Sequence, residues 1–127
     1  MSVSPNISER HPVPQPPLNL DVSMPELTRA LLDYESVSGN EQPIADAVHM
    51  ALSFCPHLHL TRDGDAIIAR TEFPPMPGEE EERTRIILAG HLDTVPLPTV
   101  EGSLGTVPST VREEEDGYVL YGRGATD

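Results

Sequence analysis

The chain has 127 residues, enough for one small domain, but 37% hydrophobic content and 14 prolines mean that only part of it can form a core. Eight basic against 21 acidic residues give a formal net charge of −13, which argues against nucleic acid and against an anionic membrane surface as partners. No stretch approaches the roughly 20 apolar residues that span a bilayer, and the N-terminus does not resemble a secretory signal, so we expect a cytoplasmic protein.

Three features lie outside the predicted core. Residues 1–20 are proline-rich with little hydrophobic pattern, which predicts a mobile tail ahead of a folded part over residues 21–127. Two runs of carboxylates, residues 79–82 and 113–116, are typical of solvated loops. Cys55 is the single cysteine, so no intrachain disulfide can form, and we expect a buried thiol on a helix.

The first predicted helix runs over about residues 25–35. Ser23 and Glu26 form a capping-box pair at its start. Hydrophobic side chains then recur at i, i+3, i+4 and i+7, which predicts one apolar stripe facing a core. The residues of this stripe are Leu27, Ala30, Leu31 and Tyr34.

A second helix is predicted after a short break. Ser38 or Asn40 can serve as its N-cap, and Pro56 ends it because proline is not accommodated in a helix interior. Its apolar stripe again has helical spacing. The stripe consists of Ile44, Ala47, Val48, Ala51, Leu52 and Cys55.

The hydrophobic pattern then changes from helical to extended. Residues 57–61 and 66–71 predict two strands joined by a turn over residues 62–65. Residues 85–90 form a near-continuous apolar run, which is typical of a strand buried on both faces, and residues 118–121 predict a last short strand. Two helices followed by such strands indicate an α/β fold, part of a mixed sheet covered by helices.

Polar side chains follow two of these strands. His91 and Asp93 come directly after the apolar run and, because side chains alternate along a strand, they point to the same side. Asp127 follows the glycine-rich end of the last strand. Imidazole and carboxylate both bind zinc, and a carboxylate can also orient a histidine ligand. These residues alone leave two interpretations open, a metal site and a structural histidine–aspartate pair.

The surrounding motifs resemble the signature of the dinuclear zinc exopeptidase and amidohydrolase family. The family includes succinyl-diaminopimelate desuccinylases, acetylornithine deacetylases, aminoacylases and glutamate carboxypeptidases. The resemblance covers about residue 20 to the end and implies an incomplete zinc-peptidase-like catalytic domain. Its motifs are residues 87–96 (ILAGHLDTVP), residues 120–127 (LYGRGATD) and residues 36–41 (SVSGNE), the last being similar to the segment between the first two helices of these enzymes.

The resemblance implies a role for each candidate residue. His91 would ligate one zinc ion and Asp127 would bridge two. Asp93 would be the catalytic-site aspartate that supports the metal ligands. The implied cofactor is Zn²⁺, two ions per intact subunit, with Co²⁺ as a substitute. In such a site the metals activate water and polarise the amide carbonyl that is cleaved.

The resemblance also implies parts that this sequence does not contain. In the family a downstream pair of glutamates supplies the general base and a metal ligand, and a further carboxylate and a histidine complete the coordination. An inserted domain forms a homodimer. We therefore expect residues 21–127 to be the truncated N-terminal part of a catalytic domain, and the 127-residue chain to be inactive by itself.

Within the family, desuccinylases of the actinobacterial type fit best, on segments outside the metal motifs: residues 18–21, 26–28, 31–33, 44–48 and 56–58. This implies an amide hydrolase that releases succinate from the small molecule N-succinyl-LL-diaminopimelate, in lysine and diaminopimelate biosynthesis. Two alternatives stay open. One is another N-acyl-amino-acid deacylase or dipeptidase of the family, such as an acetylornithine deacetylase. The other is a non-catalytic binding domain with a relic site.

Overall fold

The computed structural model describes residues 15–73, 76–78, 83–101 and 107–127. Helices and small sheets are both present, as expected of the α/β class. The predicted mobile tail, residues 1–20, lies largely outside the described residues. In chain order the elements are α1 (Met24–Leu32), α2 (Gln42–Ser53), β1 (Leu58–Asp63), β2 (Ala66–Thr71), β3 (Thr110–Glu114) and β4 (Gly117–Tyr121).

Helix α1 begins at the predicted capping box. The Ser23 hydroxyl accepts from the backbone N–H of Glu26 at 3.4 Å, and the Glu26 carboxylate accepts from the backbone N–H of Ser23 at 3.1 Å. The Ser23 hydroxyl also donates to Glu26 Oε2 at 2.8 Å, and this hydrogen bond, followed by the one from the Ser23 backbone N–H, lowers the pKa of Glu26. The helix ends at Leu32, before the predicted boundary, and Leu32 is its buried residue although it lies outside the predicted stripe.

Helix α2 is capped differently from the prediction. Its N-cap is Glu41, which makes no side-chain cap hydrogen bond, so the assignment of Ser38 or Asn40 as N-cap is wrong. The Glu41 carboxylate instead accepts from the backbone N–H of Gly39 at 2.8 Å. The Ser38 hydroxyl is also used elsewhere, because it donates to Asp93.

The first hairpin has the predicted second strand, but its first strand, Leu58–Asp63, includes two residues, Arg62 and Asp63, that were predicted in the turn. Strands β1 and β2 pair antiparallel, starting from Leu58 opposite Thr71. Gly64 in the turn has φ +58°, a conformation that glycine adopts without strain. The Arg62 guanidinium lies 2.7 Å from the Asp46 carboxylate, which ties the hairpin to α2.

Two smaller predictions are wrong in detail. Glu113 and Glu114 were expected in a loop but belong to β3, because pairing with β4 satisfies their backbone groups while every side chain of β3 stays exposed. Cys55 follows α2 instead of lying within it, and it is half-buried instead of buried, since the helix ends at Ser53. The other carboxylate run, residues 79–82, lies outside the described residues.

The largest difference from the prediction concerns residues 85–90. Ile86, Ile87 and Leu88 are 82%, 82% and 94% exposed, so the run is not a buried strand. A central strand needs neighbours on both edges and cover on both faces, and the described residues supply neither. They form two separate two-stranded antiparallel sheets, β1–β2 and β3–β4, instead of one mixed sheet.

The core of the described part is small and comes from the two helices. It consists of Leu32, Ile44, Ala45 and Ala51. Leu32 also supports the end of the chain, because a Cβ placed on Gly122 would stand 3.1 Å from Leu32 Cδ1. None of the helices in the described ranges is long and apolar enough to cross a membrane.

Leu32 and Leu88 make a matched pair for testing this core. Leu32→Ala should lower the free energy of unfolding by roughly 2–5 kcal/mol, because it removes a buried side chain and leaves a cavity. Leu88→Ala should change it by less than about 0.5 kcal/mol, since that side chain is exposed. Urea unfolding followed by circular dichroism measures both. A loss for Leu88→Ala as large as that for Leu32→Ala would show that residues 85–90 are buried after all.

Candidate metal centre

The segment that carries His91 and Asp93 is fastened to the loop between the two helices. The backbone N–H of Thr94 donates to the Ser36 carbonyl at 2.8 Å, and the backbone N–H of Ser38 donates to the Thr94 carbonyl at 3.1 Å. Together they form a parallel bridge between Val37 and Thr94. This bridge places the loop beside the two candidate residues.

The structure brings all three predicted site residues together. His91 Nδ1 lies 2.9 Å from the backbone carbonyl oxygen of Asp93 and 3.1 Å from its Oδ1. His91 Nε2 lies 3.3 Å from Asp127 Oδ1. The imidazole therefore sits between the two aspartates, with one ring nitrogen facing each of them.

This arrangement favours a positive charge at Nε2. When Nδ1–H donates to Asp93, Nε2 of a neutral imidazole is an acceptor, and it faces a carboxylate oxygen that is also an acceptor. A proton or a metal cation between the two atoms resolves the mismatch. Consistent with this, the Asp93 carbonyl and then the Asp127 carboxylate raise the pKa of His91.

Asp93 is held on its other side by Ser38. The Ser38 hydroxyl donates to Asp93 Oδ2 at 2.6 Å, and this hydrogen bond is the main reason why the pKa of Asp93 is lowered. This contact was not predicted, because the only hydrogen-bonding role expected of the Ser38 side chain was that of a helix cap. A role at the site could have been predicted from the position of Ser38 within residues 36–41, one of the segments that carry the family resemblance.

Asp127 reaches the site because the second hairpin docks on α1. The backbone N–H and the hydroxyl of Ser109 both donate to Asp33 Oδ1, at 2.7 and 2.6 Å. After β4 the chain turns at Gly124, where φ is +89° and a Cβ would stand 3.0 Å from Thr94 Cγ2. Residues 122–127 and the His91 segment thereby line a shared cleft of about 300 Å³.

The donors in this cleft fit part of a zinc site. His91 Nε2 and Asp127 Oδ1 are close together, of suitable types, and belong to exposed side chains. Among the described residues, however, no group of three or more histidine, cysteine, aspartate or glutamate side chains could hold a metal ion. Because zinc sites usually take three or four protein ligands, these two donors require others to complete the coordination.

Comparison with known proteins finds relatives named succinyl-diaminopimelate desuccinylase. Proteins of that name, DapE, from the CDC 1551 and H37Rv strains of Mycobacterium tuberculosis are 41% identical over 103 residues, covering 80% of this chain and 24% of theirs. The desuccinylase of Corynebacterium glutamicum is 36% identical over 103 residues, covering 80% of this chain and 23% of its own. No protein-family profile and no solved structure matches the chain.

These relatives confirm the resemblance to the desuccinylases. The chain spans about a quarter of the length of the curated relatives that it matches. The likeness therefore concerns one part of those proteins, and the activity in their names belongs to much longer chains.

Replacing the Asp127 carboxylate should lower the pKa of His91. Asp127→Asn removes the negative charge beside Nε2 and leaves a weaker hydrogen-bond acceptor. The imidazole should therefore lose its proton at lower pH than in the unaltered chain. Two-dimensional NMR of the His91 ring, recorded as a function of pH, measures the shift. Asp116→Asn removes the same charge in the β3–β4 turn and serves as the control. Equal His91 pKa values in Asp127→Asn and the unaltered chain would contradict the observed contact.

Proposed function

We propose that this chain carries part of the ligand set of a dinuclear zinc centre, namely the ligands that come first in the sequence. In a protein of its relatives' length, that centre hydrolyses N-succinyl-LL-diaminopimelate and releases succinate. The observation that supports the metal site is the orientation of His91, whose Nδ1 faces Asp93 while Nε2 faces Asp127. The names of the relatives support the substrate. The corresponding process is lysine and diaminopimelate biosynthesis in the cytoplasm.

Each residue has a separate task in this proposal. His91 would ligate one zinc ion, and Asp93 would fix the ring by accepting from Nδ1–H. Asp127 would be the ligand shared by the two ions, and its side chain is 88% exposed and therefore open to further ligands. Zinc, or cobalt in its place, supplies a Lewis acid that activates water and polarises the amide carbonyl.

The proposed reaction needs groups beyond those in the cleft. The Asp93 carboxylate already accepts a hydrogen bond from Ser38 on one oxygen and lies 3.1 Å from His91 Nδ1 with the other, so it is poorly suited to take a proton from water. We infer that the general base, the remaining ligands and a dimer-forming domain belong to the longer protein. The 127-residue chain would then be inactive by itself.

The two rival functions have less support. A deacylase or dipeptidase of the same family would use the same three residues, but the matched relatives carry the desuccinylase name. A binding domain with a relic site would not require His91 to be oriented between two carboxylates.

The 127-residue chain should bind at most one zinc ion, weakly, and should release no succinate from succinyl-diaminopimelate. Two plausible donors hold a metal poorly, and Asp127 must be ordered at a chain end. Calorimetric titration with ZnCl₂ gives the stoichiometry, and succinate release is assayed in the same buffer. His91→Ala is the control that should abolish binding. Two tightly bound zinc ions, both lost in Asp127→Ala, would show that the chain contains a nearly complete site.

The substrate is tested on the longer protein that contains this chain. Succinyl-diaminopimelate should be hydrolysed with a higher kcat/KM than N-acetylornithine, and His91→Ala should abolish both reactions. A preference for N-acetylornithine would leave the metal site standing and refute the desuccinylase assignment. No hydrolysis of any N-acyl amino acid, with the metal bound, would favour the binding domain.

A further inference from the structure

Ser38 contacts the site through two groups that serve different purposes. Its backbone N–H donates to the Thr94 carbonyl at 3.1 Å and belongs to the bridge that docks the interhelical loop. Its hydroxyl donates to Asp93 Oδ2 at 2.6 Å. The backbone contact is available to almost any residue at position 38, whereas the second contact requires a hydroxyl.

The hydroxyl contact constrains the side chain that orients His91. Asp93 Oδ2 accepts from Ser38, while Asp93 Oδ1 lies 3.1 Å from His91 Nδ1. The Asp93 side chain is 44% exposed, so surrounding atoms alone do not fix its rotamer. The contacts with Ser38 and His91 on opposite oxygens do, because rotation of the carboxylate would break both. The hydrogen bond between His91 Nδ1 and the Asp93 backbone carbonyl, at 2.9 Å, does not depend on this rotamer.

We propose that Ser38 is a positioning residue of the metal centre: its hydroxyl holds the Asp93 carboxylate beside His91 Nδ1, where Oδ1 acts together with the Asp93 backbone carbonyl to keep the proton on Nδ1 and to leave Nε2 for the metal. The role in metal binding rests on the proposed function. The orientation of the ring can be measured without a metal.

A purely structural role fits Ser38 less well. Ser38 is exposed and does not cap α2, whose N-cap is Glu41. The buried serine of this loop is Ser36, at 3% exposure. Removing the Ser38 hydroxyl should therefore leave folding nearly unchanged while it releases Asp93.

The experiment compares Ser38→Ala and Ser38→Thr with the unaltered 127-residue chain. Ser53→Ala is the matched control, because Ser53 also loses a 2.6 Å hydroxyl contact, to the Met50 carbonyl in α2. Nitrogen-15 NMR of the imidazole, at one pH where His91 is neutral, gives the tautomer. The same signals followed during addition of ZnCl₂ give the affinity, and thermal unfolding by circular dichroism reports the fold.

In the unaltered chain His91 should be mainly in the Nδ1–H form. Ser38→Ala should increase the Nε2–H form and weaken zinc binding about tenfold, the lower end of the range for losing a residue that orients a ligand. Ser38→Thr should restore both properties, and Ser53→Ala should change neither. The melting temperatures of the variants and of the unaltered chain should coincide. A variant whose fold is damaged would instead lose thermal stability as well as zinc affinity.

An unchanged tautomer and unchanged zinc affinity in Ser38→Ala would overturn the proposal, and so would failure of Ser38→Thr to restore them. If the unaltered chain binds no zinc, the metal role of Ser38 falls with the proposed site. The tautomer spectra then still decide whether the hydroxyl positions His91.

Discussion

Asp33 lies directly after α1, and its Oδ1 accepts two hydrogen bonds from Ser109, which is 76 residues later in the chain. Hydrogen bonds to an ionised acceptor are stronger than neutral ones, and Ser109 is almost fully buried around this contact. It attaches the start of β3 to the first helix. The path of β4 and of the residues after it follows from that attachment, so a carboxylate outside the site determines that Asp127 reaches His91.

Polar contacts of this kind carry much of the tertiary structure because the core is small. The described residues bury four hydrophobic side chains, and most strand residues are exposed. The interhelical loop is held by backbone hydrogen bonds to Thr94, and the first hairpin by the ion pair between Arg62 and Asp46. The cleft is thus surrounded by segments that are joined at a few points instead of being packed over broad areas.

Features set by local sequence could be predicted. The capping box of Ser23 and Glu26 depends on residues three positions apart, and the first hairpin depends on alternation and a glycine turn. The closeness of His91 and Asp93 follows from their separation of two residues. Two motifs far apart in the chain led us to expect Asp127 near these residues, and the structure shows the contact between His91 and Asp127.

Other features that depend on distant partners could not be predicted. The apolar pattern of residues 85–90 predicts burial. Whether the segment is buried depends on neighbouring strands, which the pattern does not specify. Glu113 and Glu114 were predicted in a loop because they belong to a run of charged residues. Their pairing with β4 cannot be seen from the sequence. Ser38 was assigned to the nearest helix end because its acceptor, Asp93, lies 55 residues away.

The exposed run of Ile86, Ile87 and Leu88 has a consequence for the colloidal behaviour of the chain. Exposed apolar segments rich in β-branched residues favour strand pairing between molecules. At neutral pH the net charge of −13 keeps copies apart. Near the isoelectric point of about 4.5 that repulsion disappears, and salt screens it at any pH. Acidic or strongly saline solutions should therefore drive this chain towards β-rich aggregates, while dilute, mildly alkaline buffer should keep it dispersed.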